Sequence, residues 1–133
     1  MLEGSAGAPA TNLWVASPGF TLTGNIERLS AAERATSERL MVALRQSLRV
    51  SEHEGADFVS AAGTTYDAMG TPQAYQFWNQ KEFFGSINTH LRKSNDYTVI
   101  DLTGASRSQI DAIKGYVGSL SERARATILF VGQ

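Results

Sequence analysis

Two aspartates, Asp57 and Asp67, stand on either side of a stretch, GADFVSAAGTTYDAMG, that carries the signals of a β-hairpin. Asp57-Phe58-Val59-Ser60 and Thr64-Thr65-Tyr66-Asp67-Ala68 read as strands, and Ala61-Ala62-Gly63 as their loop. Gly63 suits the left-handed position that closes such a turn. With Ser60 opposite Thr64, counting back sets Asp57 opposite Asp67 on one face of the ribbon. Facing like charges destabilise a sheet unless something positive lies between them, and a hard divalent cation with oxygen ligands is the usual resident. A register slipped by one residue would instead turn one acid away and leave it flanking the turn.

A site built on that pair needs further groups, and helices on both sides offer them. Ser30-Ala31-Ala32-Glu33 has the pattern of a capping box and opens a helix expected to run to about Val50. Its apolar stripe is Leu40, Leu44 and Leu48, and stepping back by turns lands on Ser37 and Glu33. Glu33 therefore either caps the helix or reaches inward to a site; Glu38, on another face, is the reserve acid. Thr71-Pro72 starts a second helix, expected to reach about Leu91, with Phe77, Phe84, Ile87 and Leu91 on its stripe. Lys81 falls on that stripe, where it either snorkels past the core edge or brings an ammonium to the acids. His90, near Phe83 and Ile87, reads as a partly buried, satisfied histidine.

The remaining chain supplies a frame. Tyr97 to Leu102 reads as a strand, Ser106 to Leu120 as a capped helix with Ile110, Ile113 and Val117 inward, and Thr127 to Val131 as a buried strand. This βαβ order predicts two parallel strands with a right-handed crossover. Asp101, near the carboxyl end of its strand, either organises the Thr103-Gly104 turn or supports a site from behind. Residues 1–24 lack periodicity and any cationic start followed by an apolar core, so they read as a poorly ordered linker or leader, with Leu13-Trp14-Val15 and Phe20 able to dock as an arm. Residues 25–133 make the domain.

Composition narrows the chemistry. The chain has 133 residues, enough for one core, and its 42% hydrophobic and 19% charged content is that of a globular chain without a membrane-spanning run. It has no cysteine and two histidines, which excludes thiolate sites and leaves any metal to carboxylates. The net charge of −1 argues against indiscriminate nucleic-acid coating. Arg28, Arg34, Arg39, Arg45 and Arg49 crowd one stretch expected to be helical, and Arg92-Lys93 sit together, so a local patch stays open.

The order helix, hairpin, strand, helix, strand, with the Lys81 helix inserted, resembles the α/β core and mixed sheet of PD-(D/E)XK nucleases. From Asp57 to Gly132, the segments ADF, YDAMG, SINTHLRKSNDYTVIDLTG and TILFVG resemble the C-terminal toxin domains of CdiA-type contact-dependent growth inhibition proteins that act as tRNA nucleases. The resemblance implies a site like that of type IIS restriction endonucleases, with Glu33, Asp57, Asp67 and Lys81 as catalytic residues. It also implies a divalent metal, Mg²⁺ first, held by Asp57, Asp67 and Glu33. Two departures stand out: the superfamily lysine belongs at the position held here by Met69, and the Val-Glu-Asn-Asn junction of such toxins is absent. The implied partners are a tRNA substrate and a cognate immunity protein, for a monomeric domain without membrane contact. The implied route is delivery from a large secreted or cell-surface exoprotein into a target-cell cytoplasm. The alternatives are a DNase of the same fold and a non-catalytic interaction or immunity-type domain.

Overall fold

The structure is a computed structural model and describes residues 13–16 and 19–133. In chain order its strands are β1 Leu13–Ala16, β2 Phe20–Thr23, β3 Leu48–Val50, β4 Phe58–Val59, β5 Thr65–Met69, β6 Tyr97–Asp101 and β7 Ile128–Val131. Its helices are α1 Ala31–Leu44, α2 Pro72–Gln76, α3 Gln80–Leu91, α4 Arg107–Gly118 and α5 Glu122–Arg125, with a 3₁₀ turn at Ile26–Arg28. The strands form one mixed sheet in sequence order, parallel at β2–β3, β5–β6 and β6–β7 and antiparallel elsewhere. A parallel neighbour requires a crossover, and α1, the α2–α3 pair and α4 supply the three.

The crossovers divide between the two faces. Leu40 and Met41 of α1 pack on Leu22, Val50, Phe58, Tyr66 and Val99, while Tyr75, Phe83, Ile87, Ile113 and Val117 of α2, α3 and α4 pack on Met69, Ile100 and Ile128. Adjacent strand residues such as Val99 and Ile100 serve opposite cores because strand side chains alternate. The α/β class and the parallel pairing of β6 with β7 agree with the sequence expectation.

The hairpin forms as expected in its loop: Ser60 N donates to Thr64 O at 3.0 Å, Gly63 has φ +87°, and Phe58 and Val59 pair with Tyr66 and Thr65. The first long helix ends earlier than its apolar pattern predicts, and the second reaches Leu91 as expected but is interrupted on the way. The first stops at Leu44, Arg45 caps it with φ +57°, and Leu48 and Val50 become a strand buried between β2 and β4. Sheet pairing there overrides helical phase, so the arginines share no single face. The second breaks after Gln76, and Asn79 starts a new helix by accepting from Glu82 N at 3.0 Å. The expected leader also divides: residues 1–12 and 17–18 lie outside the described residues, but Leu13–Ala16 and Phe20–Thr23 are strands of the sheet, and Leu22 is wholly buried. A boundary after Gly24 therefore cuts through the sheet. No described helix is long and apolar enough to cross a membrane.

Candidate active site

Asp67 lies in the middle of β5 on the face covered by α3, and only 3% of it is exposed. Asp57 N donates at 2.9 Å to the carbonyl of Tyr66, the residue opposite Phe58, so the chain kinks as it enters β4. The Asp57 side chain then takes a place that a strand carbonyl would fill, its Oδ2 accepting from Ala68 N at 2.8 Å. The kink sets the Asp57 carboxyl beside that of Asp67. Burial pushes the Asp57 carboxyl above its ordinary 3.8, with the charge of Asp67 and hydrogen bonding to it acting in the same direction. The Ala68 N–H and the Lys93 ammonium pull it back only in part.

The cation that meets this pair is not Lys81. Lys93, in the turn after α3, places Nζ 3.1 Å from Asp67 Oδ2, and His90 Nε2 stands 3.6 Å from the same oxygen. Lys81 is exposed in the first turn of α3, about 18 Å of helix rise from Lys93, so one helix cannot bring both to Asp67. The reason is the break at Phe77–Trp78–Asn79, which resets the phase: from the Asn79 cap, the inward stripe is Phe83 and Ile87, and it runs on to His90 and Lys93. The signal that sequence reasoning missed was Asn79-Gln80-Lys81-Glu82, a cap followed by an acid in the first turn.

Glu33 is likewise drawn elsewhere. Its Oε1 accepts from Ser30 N at 2.8 Å while Ser30 Oγ accepts from Glu33 N at 3.1 Å, a complete capping box. It belongs to α1, on the face of the sheet opposite the acid pair. Glu38 is half-buried on the same helix and joins no described ion pair with the aspartates. Asp101 is 3% exposed and fully engaged: Thr36 Oγ1 donates to Oδ2 at 2.7 Å, Arg39 Nη1 donates to it at 2.6 Å, and Thr103 N donates to Oδ1 at 3.0 Å. It latches α1 to the turn after β6.

Two observations bear on a metal. Asp67 Oδ2 is buried without a well-directed hydrogen bond, although Lys93 lies close by. His90 Nδ1, at 2.8 Å from Ser86 O, is set to donate to that carbonyl, which turns a bare Nε2 toward the carboxylate. The Lys93 ammonium, 3.1 Å from the same Asp67 oxygen, is the positive group that meets that carboxylate. Among the described residues no group of three His, Asp or Glu side chains closes into a cage. An Mg²⁺-type ion keeps several waters and takes one or two carboxylates plus phosphate oxygen, so Asp57 and Asp67 are the residues that would hold one.

The class this defines is a small mixed α/β domain with helices on both faces of its sheet, carrying an acid pair that meets a lysine from the turn after one crossover helix and a histidine from that helix. No family model and no curated protein matches the chain. Among solved structures, it is similar to the CdiA-CT toxin from Burkholderia pseudomallei E479, determined in complex with its cognate CdiI immunity protein. The TM-score is 0.66 at 22% identity, over 77% of this chain and 99% of that one. The resemblance to CdiA-type toxin domains therefore holds at the level of fold.

Proposed function

We propose that this domain is a contact-dependent growth inhibition toxin of PD-(D/E)XK type that cleaves a phosphodiester bond in tRNA. The observation that carries the reading is the pairing of half-buried Asp57 with buried Asp67, with Lys93 at the orphaned oxygen of Asp67, in a fold shared with a CdiA-CT toxin. In it, Asp67 holds the Lys93 ammonium beside the acids, where it neutralises charge developing on the phosphoryl group. Asp57 is fixed by the Ala68 N–H at one oxygen, which leaves its other oxygen for a ligand. His90, oriented by Ser86 O, stands ready to orient or accept from an attacking hydroxyl. Mg²⁺ bound by Asp57 and Asp67 would supply Lewis-acid stabilisation and an activated water. The reading also includes a cognate immunity protein and delivery by a larger exoprotein into a target-cell cytoplasm.

The test is incubation of purified tRNA and plasmid DNA, side by side, with the wild-type domain and with Asp67→Ala, in Mg²⁺ and in excess EDTA. Cleavage of tRNA that needs Mg²⁺ and Asp67 is the expected outcome. Cutting of plasmid alone would assign a DNase, undiminished cutting in EDTA would remove the metal, and undiminished cutting by Asp67→Ala would sink the site.

A further inference from the structure

The break between α2 and α3 leaves Phe77 69% exposed beside a cavity of about 240 Å³ walled by Met69, Phe83 and Ser86, with Asn79 and Glu82 at its rim. This cavity adjoins the acid pair along two elements. Met69 follows Asp67 on the same face of β5, about 7 Å further along the strand, and Ser86 is the turn of α3 whose carbonyl orients His90. We propose that the cavity receives one unstacked nucleobase of a single-stranded or loop segment, next to the phosphodiester held at Asp57 and Asp67. This deepens the nuclease reading and rests on it.

The walls suit a flat aromatic ring. The volume is below the roughly 300–1,000 Å³ of sites for drug-sized ligands, and the cavity is open to solvent, with apolar Met69, Phe77 and Phe83 beside polar Asn79, Glu82 and Ser86. Phe77 has no packing role that explains its exposure, whereas an exposed aromatic beside a nucleic-acid cleft gives a base a face to stack on. The rim carries complementary chemistry. Asn79 spends its Oδ1 on the Glu82 N–H, so its amide N–H groups are what it offers a ligand. Glu82 has no side-chain partner among the described hydrogen bonds and ion pairs, and its carboxylate accepts from ring or exocyclic N–H groups of a base.

The experiment separates the pocket from the cleavage chemistry. Binding of a short single-stranded RNA is measured with Asp67→Asn protein, which does not turn it over. Adding Phe77→Ala is expected to weaken binding about tenfold, as loss of one base–aromatic stack does; Phe77→Tyr restores it, and Val42→Ala, on the other side of the sheet, changes nothing. In otherwise wild-type protein, Phe77→Ala is expected to lower kcat/KM on tRNA by a similar factor, and Glu82→Gln to shift the nucleotide preference mapped at the product ends. Phe77-dependent binding by a protein that cuts nothing would retain the pocket and discard the nuclease. Cleavage and binding indifferent to Phe77, with unchanged product ends, would discard the pocket and retain the nuclease. Absence of RNA binding by the unmodified pocket would overturn the proposal outright.

Discussion

At the scale of single residues, the acid pair was legible because a three-residue loop with Gly63 at φ +87° leaves little choice of register. Its cation was not, because a phase count carried across Phe77 put Lys81 where a helix restarted at Asn79 puts Lys93. Lys93→Ala should therefore cut cleavage by about 10²–10³-fold, the scale of losing one preorganised electrostatic partner, while Lys81→Ala stays near wild type; steady-state rates on tRNA decide between the two lysines. The pair also makes a stability claim. Asp57 has its folded pKa raised above 3.8 by burial and by Asp67, so its ionisation opposes folding. Any stability it lends is present below the unfolded value and is lost as pH rises through the folded one. Asp57→Asn keeps an acceptor for Ala68 N and removes the charge, so it should melt above wild type at pH 7. The two curves should converge as pH falls below 3.8. A gap that instead widens in acid would show Asp57 to be stabilised as a carboxylate.

At the scale of elements, the helix starts marked by Ser or Thr caps were readable, while the early end of α1 and the break before Asn79 were not. Ser30, Thr71 and Ser106 all cap as their sequences predict, since capping is local chemistry. Arg45 and the Gln76–Asn79 break depend on what packs beyond them, which a periodicity count does not hold. Asp101 shows the same limit: its turn role was readable through Thr103, but its bonds to Thr36 and Arg39 join elements far apart in sequence. Nearby, Gly70 at φ +91° lets β5 pass β6 closely, where a Cβ would sit 2.5 Å from Asp101 O. The Tyr75 hydroxyl donates to that same carbonyl at 2.6 Å, and burial raises its pKa above the usual phenol value. Asp101→Ala leaves Arg39 without its partner and Thr103 N without its acceptor, so a loss of about 3 kcal/mol is expected by urea unfolding. A loss below about 0.5 kcal/mol would mean that the latch contributes no more than a surface pair.

At the scale of the whole molecule, the sheet separates two tasks: α1 and the Asp101 latch hold one face, while the acid pair, Lys93, His90 and the Phe77 cavity share the other. The first strands look dispensable in the sequence, since Gly, Ala, Ser and Thr dominate residues 1–24 and no period emerges. In the structure β2 pairs in parallel with β3, and Leu22 adds a fully buried side chain to the α1 core. Removing residues 1–24 would lose about 1.5–3 kcal/mol for Leu22 burial alone and leave three-residue β3 as a sheet edge. That loss should reach the site, because Ser51, just after β3, donates its N–H to the Asp57 carbonyl at 2.9 Å and so anchors the kink. The truncated protein is expected to melt several degrees lower, by about 3–6 °C for each kcal/mol lost at a size between the small- and larger-domain scales. Its tRNA cleavage should fall even at temperatures where circular dichroism still reports a folded state. An independent leader would give unchanged melting and unchanged cleavage, and that result would place the start of the working domain after Gly24.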